Sequence, residues 1–338
     1  MNIKIEKVQK ICLIPTRNNE SHIERCLLSA SLWADYIIVC DQMSTDSTRE
    51  ICEKFSKVTL IDNNTVEYNE SHRQKLLINA ARKIEGQRLL ITLDADEVFT
   101  PNVLHSAEWQ KMLDVNPGTI IKFQWANFRP DFKTMWLGYH FPWGYMDDGI
   151  EHTENKTIHS GRIPLPIGNN VFEMNEVKVI HFQFTDWAKM QSKHRYYQCY
   201  ELTTFPNKSA VDMFRQYHHM LAIPEENIVP IPRDWIDEYK AFGINITLNY
   251  PERFNWFEEQ VVNFIEIHHA SKFKKIYIWD IDWVEKAKFY GKSNFLIYKD
   301  PRNLKDIIIQ WWLLNTQNKL KYRRYRRADR FIKFILKY

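Results

Sequence analysis

Three carboxylates directly follow an apolar stretch in "LLITLDADEVF", residues 89–99. They belong to Asp94, Asp96 and Glu97. Two like charges about 4 Å apart repel by roughly 4 kcal/mol at the effective dielectric of a protein surface, so such a cluster is costly without a positive partner. Carboxylate oxygens are the ligands that Mg²⁺ and Mn²⁺ prefer in proteins. The stretch therefore predicts a divalent metal site at the end of a strand.

Two further polar clusters follow apolar runs earlier in the chain. "PTRNNE", residues 15–20, comes after the first run, and "DQMSTD", residues 41–46, comes after "YIIVC". Both contain hydrogen-bonding and charged side chains, and neither contains a glycine. Together with the acidic cluster they supply the groups that could hold a charged ligand.

Strand-like and helix-like segments alternate along the first hundred residues, and these segments must position the polar clusters. Apolar runs typical of strands are separated by segments with helical spacing, and the strand-like runs are "KICLIP", "YIIVCD", "VTLID" and "RLLITLD". Alternation of this kind predicts a parallel sheet covered by helices on both faces. Ligands of such sheets bind outside the carboxyl ends of the strands, where all three polar clusters would meet.

The three motifs together resemble those of glycosyltransferase family 2. In this chain they read "IPTRNNE", "VCDQMSTDST" and "TLDADEVF", and their order and spacing carry the resemblance. It extends over residues 9–100 and weakens through "IHSGRIP" and "VIHFQF". Family members have the GT-A fold, a Rossmann-like α/β architecture, and transfer a sugar from a nucleotide diphosphate with inversion. The resemblance implies that fold, with a sheet flanked by helices and an acceptor-side region. It is absent from the C-terminal third, where residue spacing and charge predict a helical basic C-terminal extension.

The resemblance also implies roles for individual residues. The metal, Mn²⁺ or Mg²⁺, would bind Asp96, and His181 is a further candidate ligand, although a structural histidine is the more common reading. The residues expected to contact the nucleotide sugar are Pro15, Thr16, Arg17, Glu20, Asp41, Arg73, Asp94 and Ala95. The family usually has glycine in its second motif, where this chain has Gln42, Met43 and Ser47.

Inversion by direct displacement requires a general base for the acceptor hydroxyl. The candidates in "YMDDGIEH" are Asp147, Asp148 and Glu151, with Asp186 further along the chain. We choose Asp148 first and Glu151 second as catalytic residues. Asp148 could instead be a solvent-exposed carboxylate on a loop, without a catalytic role.

The remainder of the chain predicts further regions beyond the three motifs. We expect a GT-A domain over residues 1–200, with a nucleotide-binding half at 1–100 and an acceptor half at 101–200. An aromatic-rich helical extension is expected over 201–303, followed by an amphipathic basic helix over 304–338. Residues 123–145 contain nine aromatics, which we interpret mainly as core, with Trp125, Trp136 and Trp143 as candidates for a sugar-binding surface.

Charge is concentrated at the C-terminus. The formal net charge is +4, but residues 319–338 carry nine Lys or Arg against one Asp, which leaves about −4 for the rest. Phe331, Phe334, Ile335 and Tyr338 form an apolar stripe beside these cations. Basic amphipathic helices lie on anionic membrane surfaces, so we expect such a surface as a partner and no nucleic acid, since no nucleic-acid motif accompanies the charges.

The cysteines and the hydropathy indicate the compartment. Five cysteines without a CxxC motif favour reduced core residues in a cytoplasmic protein, with peripheral attachment to the inner face of the membrane as a further expectation. The apolar run "IIIQWWLL" is too short to span a bilayer.

The sequence thus predicts an enzyme, with two alternatives. The main interpretation is a hexosyltransferase that adds one sugar to a glycan or lipid-linked saccharide, as in lipopolysaccharide, capsule or exopolysaccharide assembly. A nucleotidyltransferase would also use acidic metal ligands, but those enzymes typically carry a glycine-rich basic loop after the first strand. A catalytically inactive membrane-associated scaffold of the same fold is the alternative from another class.

Overall fold

The computed structural model describes residues 7–67, 69–152, 160–163, 170–247 and 256–338. The chain divides into two compact units, the first comprising residues 1–185 and 229–251 and the second residues 186–228 and 252–338. The boundary predicted from the sequence was at residue 200. The contacts place it between Thr185 and Asp186, because Tyr196 and Cys199 of the helix that begins at Trp187 pack in the core of the second unit.

Among the described residues, nine strands form one mixed sheet in the order β3-β2-β1-β4-β7-β6-β8-β5, with β9 paired to β7. The strands are β1 Gln9–Thr16, β2 Tyr36–Asp41, β3 Val58–Asp62, β4 Arg88–Thr92, β5 Glu97–Phe99, β6 Ile120–Phe128, β7 Thr134–Met146, β8 Val171–His181 and β9 Ile228–Pro230.

The helices alternate with the first strands and then dominate the second unit. They are α1 Ile23–Trp33, α2 Thr48–Cys52, α3 Glu70–Ala81, α4 Ala107–Met112, α5 Trp187–Thr204, α6 Ala210–Tyr217, α7 Arg233–Ala241, α8 Trp256–His268, α9 Trp283–Phe289, α10 Leu304–Thr316 and α11 Arg323–Phe334.

The four strands predicted from the apolar runs are confirmed as a parallel set. β1 pairs in parallel with β2 and β4, and β2 pairs in parallel with β3. In register, Thr16 lies beside Asp41, and Asp41 lies beside Asp62. The carboxyl ends therefore lie side by side at one edge of the sheet, as the positions of the polar clusters required.

Alternate residues of these strands pack into cores on opposite faces. Cys12 and Ile14 of β1 face one cluster together with Cys26 of α1, while Ile11 and Leu13 face a second cluster. Continuous apolar strands are typical of a sheet buried on both faces. All five cysteines of the chain are buried and unpaired, and their burial agrees with the prediction that they are core residues.

The basic tail is a separate helix, and our prediction that it continues the preceding helix is wrong. α10 ends at Thr316, a short 3₁₀ turn follows, and α11 begins at Arg323. Phe331, Phe334 and Ile335 are exposed as predicted, but Tyr338 is buried in the core of the second unit. No helix in the described parts of the chain is long and apolar enough to cross a bilayer.

Candidate active site

Glu97, the last residue of the acidic cluster, is a structural carboxylate. Its side chain is fully buried and accepts hydrogen bonds from Trp125 Nε1 at 2.8 Å, Trp143 Nε1 at 3.1 Å and the backbone N–H of Asp94 at 3.0 Å. Burial raises the pKa of Glu97 to about 7. Trp143, a candidate for a sugar-binding surface, is likewise fully buried and serves to hold this carboxylate.

The positive partner of the acidic cluster is Arg162. Its guanidinium donates to Asp94 Oδ2 at 2.6 Å and to Glu97 Oε2 at 2.5 Å, and it lies over the rings of Trp125 and Trp143. No role for this arginine was predicted from the sequence. It lies 65 residues after Glu97 in an irregular segment, so no periodicity connects the two. The ion pairs relieve the charge repulsion within the cluster without using Asp96.

Asp96 instead faces His181, the last residue of β8. His181 Nε2 lies 3.8 Å from Asp96 Oδ2, while Nδ1 lies 2.9 Å from the side-chain oxygen of Asn127. An amide oxygen only accepts hydrogen bonds, so this contact places a proton on Nδ1, and Nε2 is the ring atom that faces Asp96. The ring is also stacked on Trp125 at 4.9 Å, which fixes its orientation.

This pair of residues fits a divalent metal that completes its coordination from a substrate. Mg²⁺ and Mn²⁺ sites in nucleotide enzymes commonly use one or two protein ligands together with phosphate oxygens and waters. Among the residues that the structure describes, no group of three or more His, Cys, Asp or Glu is arranged to hold a metal by itself. Asp96 and His181 are two side chains of suitable chemistry that could hold such an ion together with a substrate.

Hydrogen bonds join the loop after β1 to the loop after β2, and together the two loops form one wall of the site. Asn18 N donates to Ser44 Oγ at 2.8 Å, and Thr45 N donates to Asn18 Oδ1 at 2.8 Å. Glu20 accepts from the backbone N–H of Ser47 at 3.2 Å, so one predicted nucleotide-contacting residue also links the loops. These bonds preorganise the segment that begins at Pro15.

The backbone of this wall adopts the left-handed conformation at two positions. Asn18 has φ of 51° and Met43 has φ of 55°. Met43 is one of the residues that occupy the glycine-containing stretch of the family motif, and glycine adopts this conformation without steric cost. Residues held in such regions cluster at ligand-binding loops, where the surrounding contacts maintain them.

Asp41 lies at this edge but is not exposed. Its side chain is fully buried, and it accepts hydrogen bonds from Ser44 and, at 3.0 Å, from Arg49 Nη1. In this arrangement the carboxylate positions the loop after β2. Ala95 and Thr16 are also buried, so they contribute to the wall mainly through their backbone.

Arg73 lies on the first turns of α3, a helix capped by the side chain of Asn69. Burial raises the pKa of the Cys40 thiol to about 11, and the positive charge of Arg73 works against that shift. The next residue of the helix, Gln74, donates to the carbonyl oxygen of Gly161 at 2.6 Å. Arg162, which follows Gly161, pairs with Asp94. The N-terminal end of α3, which carries Arg73, is therefore near the edge that carries Asp94.

The candidate general bases Asp148 and Glu151 are not brought to this edge. β7 runs antiparallel to β4, so its last residue, Met146, lies beside Leu89 at the start of β4. The distance along the chain from Leu89 to Asp94 is about 16 Å, since an extended chain rises by about 3.3 Å per residue. Burial raises the pKa of Asp148, but hydrogen bonds from Tyr145 and His152 outweigh it and hold the pKa below its ordinary value. The structure thus gives no support to the choice of Asp148 or Glu151 as the base.

The other two candidates also have structural partners. Asp147 is buried between Arg82 and Arg88, with oxygen–nitrogen distances of 2.8 and 2.9 Å. Asp186 caps α5 by accepting a hydrogen bond from Lys189 N at 2.9 Å. The antiparallel register and these partners were not visible in the sequence.

The Asp147 ion pairs predict a pH-dependent stability. Burial raises the pKa of Asp147, but the two arginines outweigh it and lower the pKa. A lowered folded pKa contributes stability that is present above the unfolded value and is lost as pH falls through the folded one. Asp147→Asn should therefore lower the free energy of unfolding by about 3 kcal/mol at pH 7. In urea titrations the gap from wild type should stay constant between pH 7 and 5 and shrink below pH 4. A gap independent of pH would contradict the ion-pair explanation.

Comparison with known proteins identifies the family. Residues 11–178, which include the loops after β1 and β2 and the acidic cluster and end three residues before His181, match the model of glycosyl transferase family 2. The chain carries a family 2 glycosyltransferase domain. The α/β sheet of the first unit is accordingly of the GT-A type that the motifs predicted.

Solved structures of low identity also match. They include glucosyl-3-phosphoglycerate synthase from Mycobacterium tuberculosis in complex with Mn²⁺, UDP and phosphoglyceric acid, at 18% identity over 35% of this chain and 43% of that one, with a TM-score of 0.28. S. aureus TarS 1-349 matches at 12% identity over 94% of this chain and 93% of that one, with a TM-score of 0.37. HddC from Yersinia pseudotuberculosis matches at 12% identity over 52% of this chain and 93% of that one, with a TM-score of 0.30.

The extent of these matches is limited. The chain spans 42% and 43% of the length of two of the solved structures that it matches. No curated protein matches it.

Proposed function

We propose that the protein is an inverting, metal-dependent glycosyltransferase that moves one sugar from a nucleotide diphosphate to a glycan or lipid-linked saccharide acceptor. The observation that supports this most directly is the pairing of His181 with Asp96, 3.8 Å apart, since Asp96 belongs to the acidic cluster of the family 2 domain. A carboxylate and an imidazole nitrogen are suitable ligands for Mn²⁺ or Mg²⁺.

The donor would bind along the wall formed by the first two loops. Arg17 and Thr16, together with Pro15 and Glu20, would line the base and ribose pocket, and Asp41 would hold that pocket in shape through Ser44. Asp94 and Ala95 would lie beside the ribose, with Arg162 limiting the movement of Asp94. Arg73 would provide positive charge for the diphosphate, which otherwise faces an acidic cluster.

Asp96 and His181 would hold the metal, which when bound supplies positive charge against the departing diphosphate. In the transfer step, an acceptor hydroxyl oxygen forms a bond to the anomeric carbon while the bond from that carbon to the diphosphate breaks. Attack from the face opposite the diphosphate inverts the anomeric centre. The base that takes the hydroxyl proton must reach this edge of the sheet, which Asp148 and Glu151 do not.

Product analysis tests this proposal. The full chain would be incubated with Mn²⁺, a panel of α-linked UDP, GDP and CDP sugars, and saccharide acceptors. We expect one donor to yield a product with a new β linkage, read from the anomeric proton coupling. An α linkage would contradict inversion. Failure of every donor, together with failure of every diphosphate to bind, would favour the scaffold alternative.

We also propose that the second unit attaches to an anionic membrane surface. α10 exposes an apolar face with helical spacing, formed by Leu304, Ile307, Ile308, Trp311 and Leu314. Trp311 is 62% exposed and Leu304 is 73% exposed. Five arginines of α11 are exposed in the same unit, and basic charges near anionic lipid each contribute about 1 kcal/mol.

This proposal predicts a loss of vesicle binding when the apolar face is made polar. Trp311→Ser should lower the partition coefficient onto vesicles containing phosphatidylglycerol about tenfold, since aromatic side chains anchor helices at the interface. Phe289→Ser removes an exposed ring elsewhere in the second unit and serves as the control. Equal binding of both variants and wild type would rule out this face as the membrane contact.

A further inference from the structure

The second unit contains a cavity of about 640 Å³ lined by six lysines. Residues from the end of α5 and the loop after it, from the segment 271–275 and from the end of the chain surround it. The lysines are Lys208, Lys272, Lys274, Lys275, Lys333 and Lys337, and no Asp or Glu is among the described residues that line the cavity. It lies within one compact unit, since all its lining residues belong to that unit.

Most of this positive charge is not neutralised within the protein. Lys208 forms an ion pair with Glu201, and Lys333 forms one with Asp212. The other four lysines form no ion pair with any residue that the structure describes. Lys275 donates to the carbonyl oxygen of Lys337 at 2.5 Å, which draws two of these four cationic residues together.

A concave group of uncompensated ammonium groups is unfavourable until an anion neutralises it. Like charges at short distance repel, and the repulsion is greater where protein walls exclude water. Lysine binds phosphate as a flexible point charge, and several lysines around one cavity match several phosphate groups. Screening weakens such attraction at high salt.

The size and walls of the cavity restrict the ligand further. Small-molecule sites commonly have volumes of about 300–1,000 Å³, so this cavity suits a compact molecule. Leu202, Phe334 and Tyr338 add apolar and aromatic wall to the basic lining. The side chain of Tyr338 is itself fixed by a hydrogen bond from Gln310 Nε2 at 3.2 Å.

We propose that this cavity binds a compact anion with two or more phosphate groups, either a soluble phosphorylated saccharide or the headgroup of a phospholipid. The site is distinct from the acidic edge of the first unit, because it contains no carboxylate side chain for a metal among its described lining residues and its charge is of the opposite sign. Its ligand would therefore be recognised without a divalent ion.

Calorimetric titration of the full chain with tripolyphosphate in metal-free buffer tests the site. Lys272→Glu/Lys274→Glu should weaken binding at least tenfold. Lys288→Glu/Lys299→Glu reverses two exposed charges in the same unit, outside the cavity, and should change binding less than twofold. The neutral pair Lys272→Gln/Lys274→Gln should give an intermediate loss, and its melting temperature reports whether the fold is kept.

A second arm distinguishes the two sources of phosphate. Sedimentation with vesicles of phosphatidylcholine containing about 30% cardiolipin would be measured for the same variants. Loss of both vesicle and tripolyphosphate binding in the cavity variants supports a lipid headgroup, and loss of tripolyphosphate binding alone supports a soluble ligand. No binding of tripolyphosphate by wild type, or equal losses in the cavity and control pairs, would overturn the proposal.

Discussion

Asp96→Asn is expected to lower the rate of sugar transfer by roughly 100- to 1,000-fold. Groups that stabilise charge developing in the transition state typically have effects of this size. The asparagine side chain has nearly the same shape as that of aspartate but lacks the negative charge that pairs with a divalent ion. Initial rates with the accepted donor, at saturating Mn²⁺, measure the loss.

The stability of the same variant separates a functional role from a structural one. Arg162 neutralises Asp94 and Glu97, whereas Asp96 is opposed to His181. Removing one negative charge from this cluster should therefore leave the free energy of unfolding within about 0.5 kcal/mol of wild type. Glu85→Gln removes one charge at an exposed position and should affect neither quantity. Asp96→Asn with activity above half of wild type would exclude Asp96 as a metal ligand.

Arg162→Met is expected to lower the free energy of unfolding by about 3–5 kcal/mol, because it leaves the buried Glu97 carboxylate without a cation. Methionine preserves most of the volume between Trp125 and Trp143, so the loss of charge is the main change. Urea unfolding at pH 9 measures the effect, because Glu97, with its pKa of about 7, is ionised in the wild type at that pH and is already partly protonated at pH 7.

A double-mutant cycle tests the physical cause of that loss. Glu97→Gln removes the buried charge but keeps a single acceptor oxygen, so either the Trp125 indole or the Trp143 indole loses its acceptor, a cost common to the single and the double variant. If the ion pair is responsible, the double variant Arg162→Met/Glu97→Gln should be more stable than Arg162→Met alone, with a coupling energy of about 2 kcal/mol. Additive effects of the two substitutions would show that Arg162 acts mainly through packing.

The sequence predicted the nucleotide-binding half because its signals are local. Each of the first four strands is a continuous apolar run, and each polar cluster directly follows a strand. Parallel pairing then places the clusters at one edge without further information. The observed register, with Thr16 beside Asp41, agrees with this arrangement.

The acceptor half could not be predicted in the same way because its arrangement depends on distant contacts. Asp148 lies at the opposite edge because β7 runs antiparallel to β4, a choice of direction that the aromatic-rich segment 123–145 does not encode locally. Arg162 contacts a carboxylate 65 residues earlier in the chain. A cluster of carboxylates indicates that a cation must lie nearby. It does not indicate that an arginine neutralises two of the three carboxylates.

The structure of residues 304–338 could be predicted only in part from the sequence. Hydrophobic spacing correctly predicted helices in both 304–316 and the basic segment, but the break between them is a turn without proline or glycine. The separation is stabilised by Arg215, whose guanidinium contacts Asp329 of α11 at 2.9 Å and Gln317 of the intervening turn at 2.9 Å. These contacts join residues 114 and 102 positions apart and have no local signature.

Calorimetric titration with UDP, GDP and CDP, each with Mn²⁺ and again with EDTA, tests the central claim most directly. We expect one diphosphate to bind in the presence of Mn²⁺, with an affinity that falls at least tenfold with EDTA or in Asp96→Asn. Binding of the same strength with and without the metal would contradict the roles of Asp96 and His181. Absence of binding by all three diphosphates would contradict the transferase function itself.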